Sequence, residues 1–217
     1  MELSIQHYFE FLSLLTCIFC SGKLRHSFLI AFLPYLLIIL CVELIAKYLY
    51  SLHHYNTSWI YNLMNLFSNG FYAFIFYRFA TEKQHQLAIF LITSIYISFS
   101  LLFHVLTSFQ DFNIYIVAIG GIIQVFFSCL HFYYYLQNDE YVSERHYSSG
   151  LFIAAGVLIF YSGIAICFSL YHYIRFNALS LFGIPLYNLV PRYLSILLYL
   201  LISIALIIWK RPTKTSS

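Results

Sequence analysis

The chain has 217 residues, of which 62% are hydrophobic and only 9% are charged, and its mean hydropathy is +0.81. A soluble domain carries about 25% charged residues, so this composition cannot supply a water-facing surface and indicates that lipid surrounds most of the chain. It excludes a soluble enzyme domain, and a net charge of only +3 gives no indication of a nucleic-acid partner.

Continuous apolar runs separated by short polar breaks predict seven transmembrane helices, because a spanning helix needs about 20 apolar residues. The sequence therefore predicts an all-α integral membrane protein, a single bundle of seven transmembrane helices over the whole chain. The first run is interpreted as a span, since it lacks the basic region and the cleavage site of a signal peptide. In chain order, the predicted spans cover 5–21, 28–50, 57–79, 87–108, 114–136, 150–173 and 184–209.

The distribution of Lys and Arg predicts the orientation, because cytosolic loops of membrane proteins carry an excess of these residues. Only Lys47, Arg175 and Arg192 fall on the side of the N-terminus. We therefore expect the N-terminus outside and the C-terminus in the cytosol, in the cell membrane (the inner, cytoplasmic membrane if the chain is bacterial). The basic residues on the other side are Lys23, Arg25, Arg78, Lys83, Arg145, Lys210, Arg211 and Lys214.

Polar residues recur every three or four positions along single faces of the predicted spans, and such faces turn away from lipid. With the predicted orientation, most of them gather in the outer half of the membrane. This distribution predicts a polar cavity that opens to the outside and binds a small polar ligand. In the alternative interpretation, these side chains only form hydrogen bonds between helices, each worth about 0.6 kcal/mol. The candidate ligand-binding residues are Glu10, Glu43, Asn62, Asn65, His104, His172, Asn188 and Arg192.

Two of these candidates, Glu43 and Arg192, are opposite charges within predicted spans. An unpaired charge at the centre of a membrane helix costs about 2.5–3.5 kcal/mol on insertion scales. We therefore expect Glu43 and Arg192 to form an ion pair or to be hydrated. For His104 and His172 the alternative is an interfacial histidine that touches water, since both lie near the outer ends of their spans.

The size, the external N-terminus and the polar faces resemble the small seven-span sensor modules found at the front of some bacterial histidine kinases. The resemblance implies a ligand-sensing or receptor-type module. The chain stops eight residues after Trp209, so a separate cytosolic or membrane partner would carry the output. The loop 137–149 and the C-terminal tail are the surfaces that such a partner would contact.

A second resemblance suggests a small-solute transporter. Tyr61-Asn62-Leu63 in the third predicted span is repeated as Tyr187-Asn188-Leu189 in the seventh, as a 3+1+3 parallel repeat would place them. This is similar to the SWEET-type sugar transporters, which implies that Asn62 and Asn188 are a pair of binding residues. The repeated span prolines and the Pro-Gln motif of that family are missing, since Pro34 is the only proline in spans one, two, five and six.

A third hypothesis is an intramembrane metal-dependent hydrolase that resembles ceramidases. His7, His104 and His172 would hold Zn²⁺, and Glu10 or Glu43 would assist a bound water. The sequence has no HxxxH or HExxH pair to support such a site. We predict no metal and no cofactor, and the sequence leaves enzymatic activity undecided. The last span also lacks the mid-helix Lys that a rhodopsin needs. The five cysteines, including the CxxC pair Cys17 and Cys20, are expected to be small buried residues.

Overall fold

A computed structural model describes residues 4–53, 55–137 and 145–209, and this part of the chain is almost entirely helical. It contains seven long helices of 20–25 residues and one short helix. A 3-10 turn at Phe28–Ala31 leads directly into the second helix. In chain order the helices are α1 (Ile5–Leu24), α2 (Phe32–His53), α3 (Ser58–Phe79), α4 (Lys83–Thr107), α5 (Ile114–Gln137), α6 (Arg145–Ser169), α7 (Tyr171–Phe176) and α8 (Leu186–Ile208).

Five of the long helical segments are apolar enough to cross a membrane, which supports the prediction of a helical membrane protein. The outer surface of the bundle also suits a lipid environment, because large apolar side chains such as Phe19 and Val105 are mostly exposed while polar side chains such as Ser13 and Ser128 are buried. The five segments are Phe28–Ser51, Lys83–Thr107, Ile114–Gln137, Ser148–Ser169 and Leu186–Ile208.

The helices α1 and α3 lie outside this group because they carry more polar residues. In α1 these include His7, Glu10 and Ser13, and in α3 they include Asn62 and Asn69; all five side chains are buried. The polar residues therefore face the interior of the bundle, and each of these helices still presents apolar residues on its outer side.

The long helices form a ring with one helix outside it. Around the ring, α6 packs against α5 and α8, α8 against α1, α1 against α2, and α5 against α3. The helix α4 lies outside the ring and packs against α3. Close approach of α5 to α6 depends on Gly121, since a Cβ atom there would lie 3.1 Å from the Tyr161 carbonyl oxygen. Small residues at such contacts are typical of membrane helix pairs.

The two ends of the bundle are filled differently. At the C-terminal end, where α1, α3, α5 and α8 finish, aromatic rings pack edge to face: Phe28 contacts both Phe79 (4.9 Å between ring centroids) and Trp209 (6.2 Å). This apolar core closes the ring where α2 meets α3. At the N-terminal end, where α1, α3, α5 and α8 begin, the interior is open and holds the cavity described below.

A short β-hairpin precedes α8 and was not predicted. Ser180–Leu181 pairs with Ile184–Pro185, and the two residues between them, Phe182 and Gly183, have φ of 53° and 73°. Positive φ at both central positions is the geometry of a tight hairpin turn. The predicted span 184–209 therefore starts two residues early, because Pro185 precedes the first helical residue.

The predicted span 150–173 also differs from the structure. The helix ends at Ser169, and Tyr171–Phe176 forms the separate short helix α7. No Gly or Pro marks this break in the sequence. The apolar character of Leu170, Tyr171 and Tyr173 made the segment look continuous, although most of α7 is exposed.

Candidate functional site

A cavity of about 640 Å³ lies inside the ring in the N-terminal half of the bundle. Its wall is built from α1, α2, α3, α5, α6 and α8. At the N-terminal end it reaches Phe112 in the α4–α5 loop, Tyr171 at the start of α7 and Ile184 in the hairpin. The polar residues of the wall are Gln6, Glu10, Glu43, Asn65, Ser68, Asn188, Arg192 and Ser195, and the tyrosines are Tyr35, Tyr61, Tyr72, Tyr161, Tyr171, Tyr187 and Tyr199.

Glu10 is the most buried charged group of the cavity wall. Only 3% of its surface is exposed, and its Oε2 atom has no hydrogen-bond partner. Glu43 lies on the neighbouring helix α2, near enough for its carboxylate to repel that of Glu10. Burial of a carboxylate to this extent is costly unless a ligand or water binds it or a proton neutralises it.

The expected ion pair between Glu43 and Arg192 is absent among the described residues, because no oxygen of Glu43 lies within 4.0 Å of the guanidinium. The reason is the helix order, since α1 packs between α2 and α8. Glu43 and Arg192 instead line the same cavity, and each is half-buried. A cavity large enough for several waters lets both charges remain hydrated.

Four tyrosines, Tyr35, Tyr72, Tyr161 and Tyr199, line the deep end of the cavity, and we call them the tyrosine floor. All four are buried. The rings of Tyr35 and Tyr72 meet edge to face at 5.5 Å, and those of Tyr72 and Tyr161 at 5.8 Å. The Tyr35 hydroxyl donates to Ser68 Oγ at 3.3 Å, whereas the Tyr72 hydroxyl oxygen has no partner.

The tyrosine floor was not predicted from the sequence as a cluster. The chain has 21 tyrosines, and tyrosine in a membrane protein is most often read as an interfacial anchor. The available signal was the position in the sequence, because Tyr72 and Tyr199 lie about 20 Å along their helices from the first residue, well inside the predicted spans.

The asparagines of α3 have mainly structural contacts. Asn62 Nδ2 donates to the carbonyl oxygens of Asp111 (2.8 Å) and Phe109 (3.1 Å), and Asn62 Oδ1 accepts from the Asn113 backbone N–H (3.3 Å). This side chain thus fixes the loop between α4 and α5. It does not line the cavity.

Asn65 lines the cavity and also joins α3 to its neighbours. Its Nδ2 donates to the Tyr96 hydroxyl at 3.1 Å, and that hydroxyl donates to the Ile116 carbonyl at 3.2 Å. Asn69 donates to the Asn65 carbonyl, and Gln124 donates to the Asn69 carbonyl, both at 2.9 Å. A hydrogen-bonded network therefore connects α3, α4 and α5 on the side away from the cavity.

The two asparagines of the repeated Tyr-Asn-Leu triplets occupy different environments. Asn188 lies on α8 and lines the cavity, whereas Asn62 is held by the α4–α5 loop. The pair that the resemblance to SWEET-type transporters implies is therefore not brought together in this cavity.

The histidines are also separate from the cavity. His104 is buried at the end of α4 with its ring 4.6 Å from that of Phe109. His7 Nδ1 is hydrogen-bonded to Ser4, and His172 is exposed on α7. Within the described ranges, no group of three His, Cys, Asp or Glu side chains could hold a metal ion, so His7, His104 and His172 do not assemble as the hydrolase hypothesis requires.

The cysteines and the predicted partner surface are the remaining predicted features. The five cysteines are free, with Cys17, Cys20 and Cys167 buried and Cys41 and Cys129 exposed. Most of the predicted partner surface, residues 138–144 and 210–217, lies outside the described residues.

Comparison of the chain with protein-family models, with curated proteins and with solved structures gave no match.

Proposed function

We propose that this chain is a seven-span protein of the cell membrane that binds a small polar ligand in its cavity and acts as a receptor or sensor module. The observation that carries the proposal is the cavity of about 640 Å³ with Glu10 buried in its wall and lacking a hydrogen-bond partner at Oε2. Ionisable groups inside a membrane protein face cavities and mark functional sites.

The topology completes this proposal. The helices α1 and α3 join the five apolar segments as spans, because their polar residues point into the bundle. The excess of Lys and Arg near the C-terminal end supports a cytosolic position for that end, with the cavity facing outside. A partner at the loop 137–149 or the C-terminal tail would read ligand binding, as in the sensor modules that the sequence resembles.

Packing below the tyrosine floor favours a receptor over a transporter. The interior of the C-terminal half is filled by buried apolar residues such as Leu36, Phe76 and Ile202, so no path continues from the cavity toward the cytosol within the described residues. A receptor needs only access from one side.

One observation favours the transporter as a second candidate. Pro191 lies inside α8 and lines the cavity, and a proline at that position leaves the carbonyl four residues earlier, at Tyr187, without its helical N–H donor. Interrupted helices beside a binding site are typical of secondary transporters.

Cysteine labelling along α8 tests both candidates. In a variant without the five native cysteines, Asn188→Cys and Ser195→Cys lie above the tyrosine floor, and Ser203→Cys lies below it on the same helix. Membrane-impermeant methanethiosulfonates of both charges are applied from each side in turn. Lys83→Cys, exposed at the opposite end, controls for orientation.

A receptor predicts labelling of Asn188→Cys and Ser195→Cys from outside only, with Ser203→Cys unreactive from either side. Labelling of Ser203→Cys from the cytosol would favour the transporter. Labelling of the upper positions only from the cytosol would contradict the orientation. No labelling at Asn188→Cys or Ser195→Cys would contradict the cavity itself.

A further inference from the structure

The charges that line the cavity do not balance. Among the described residues of its wall there are two carboxylates, Glu10 and Glu43, and one guanidinium, Arg192. Lys47, four residues after Glu43 on α2, offsets the charge of Glu43. Among the described residues only Glu43, a second carboxylate, acts electrostatically on Glu10, so the negative charge of an ionised Glu10 is left over. Glu10 is the less hydrated of the two, and its Oε2 atom has no protein partner. A bound cation would supply the missing charge and contact.

The tyrosine floor provides a second, independent feature that suits a cation. Aromatic ring faces attract ammonium groups within about 6 Å of the ring centroid, and the attraction grows when water is excluded. Glu10, Tyr161 and Tyr199 all line the same cavity. One positive group can therefore contact both the carboxylate and the floor.

The rest of the wall distinguishes an organic cation from a metal ion. Ile39, Val42, Phe160, Ile164 and Phe168 contribute apolar surface between the polar groups. A hard cation such as Ca²⁺ requires six or more oxygen ligands, whereas in the described part of the chain no group of three His, Cys, Asp or Glu side chains could hold a metal ion. A hydrocarbon body attached to an ammonium group would instead bury its carbon atoms against these side chains.

We propose that the ligand of the cavity is a small organic amine, whose ammonium group binds between Glu10, Glu43 and the tyrosine floor and whose hydrocarbon part packs on the apolar wall. This inference rests on the proposed function, because it names the ligand class of the same cavity. Arg192 and Asn188 remain available to a polar substituent of the amine.

Ligand-induced thermal stabilisation of the purified full-length chain in detergent tests the proposal with matched probes. Choline is compared with 3,3-dimethylbutan-1-ol, its neutral isostere, and benzylamine with benzyl alcohol and benzoate. We expect at least one of the two amines to raise the unfolding temperature in a saturable manner, and the neutral probes to have no such effect.

The variants identify the groups responsible. Glu10→Gln keeps the side-chain shape and should weaken amine binding at least tenfold. Tyr161→Phe should bind within threefold of the unmodified chain, because it keeps the ring, whereas Tyr161→Leu should lose most of the affinity. Glu82→Gln, at the C-terminal end of the bundle, is the matched control and should not change binding. Unliganded unfolding temperatures show which variants are folded.

The outcomes separate the two proposals. Stabilisation by benzoate that Arg192→Gln abolishes, without any effect of the amines, would overturn the amine proposal and leave the receptor cavity intact. The amine proposal would also be overturned, and the receptor cavity kept, if no probe binds although Ser195→Cys is labelled from outside. If no probe binds and Ser195→Cys is not labelled, the proposed cavity fails as well. Amine binding that Glu10→Gln leaves unchanged would also overturn the assignment.

Discussion

The network on α3, α4 and α5 leads to a sharp prediction at Gly120. A Cβ atom at this position would collide with the Tyr96 hydroxyl oxygen and would lie 2.9 Å from both Tyr96 Cζ and Asn69 Nδ2. The Tyr96 ring is buried and hydrogen-bonded to α3 and α5, so it cannot move aside without losing those bonds. Gly120→Ala therefore forces the network apart.

The magnitude follows from two contributions. Overpacking a tight interior costs about 1–3 kcal/mol, and two lost interhelical hydrogen bonds add about 0.6 kcal/mol each. The better helix propensity of Ala returns at most about 1 kcal/mol. We expect Gly120→Ala to lower the free energy of unfolding by about 1–3 kcal/mol.

Reversible unfolding in mixed micelles measures this change, and Gly70 offers a matched control. A Cβ atom at Gly70 meets only Ile97 Cδ1, at an ordinary 3.8 Å. Gly70→Ala, in the neighbouring helix of the same bundle, should therefore be neutral or slightly stabilising. Equal stability of Gly120→Ala and the unmodified chain, or a larger loss at Gly70, would refute the packing described for Tyr96.

Three further predictions concern other parts of the bundle. Asn62→Ala removes three hydrogen bonds to the α4–α5 loop and should reduce stability by about 1–3 kcal/mol, with labelling of Ser195→Cys unchanged; altered labelling would show that Asn62 also shapes the cavity. Gly183→Val should destabilise by about 1–2 kcal/mol because φ is 73°, whereas Gly183→Asn should be tolerated; equal unfolding temperatures for the two would contradict the turn. Alkylation of the folded chain in detergent, measured by mass spectrometry, should modify the exposed Cys41 and Cys129. The buried Cys17, Cys20 and Cys167 should react only after denaturation. Modification of these three in the folded chain would show that the packing around them is looser than described.

The long helices could be predicted from the sequence because each is a largely apolar segment between polar breaks, and the observed long helices fall on the predicted segments. Short elements could not be predicted in this way. The hairpin at 180–185 has two residues per strand, too few to show any periodicity, and α7 follows Ser169 without a helix-breaking residue.

The candidate site was predictable only as a set of polar faces. Glu10, Glu43 and Arg192 line one cavity, whereas Asn62, with the same three-to-four residue spacing, is bound to a loop. Spacing identifies the side of a helix that avoids lipid, but the neighbouring helix decides whether that side meets protein or open space. The sequence alone does not specify which helices are neighbours, so it left open whether Glu43 and Arg192 form an ion pair or are hydrated, and the structure shows no such pair among the described residues.

The manner in which α2 is attached to α3 has a mechanical consequence. Among the described residues, its ring contacts and its hydrogen bond to α3 come from Phe32 and Tyr35, where the Tyr35 and Phe71 rings stack at 3.8 Å. A tilt of α2 relative to α3 would therefore pivot about this attachment, at the C-terminal end of the bundle. Glu43 lies eight residues from Tyr35, about 12 Å along the axis, so a tilt of about 5° displaces Glu43 by about 1 Å. A displacement of that size decides whether a binding group fits its ligand. The turn Phe28–Ala31, on the other side of this attachment, lies at the end of the bundle that faces away from the cavity.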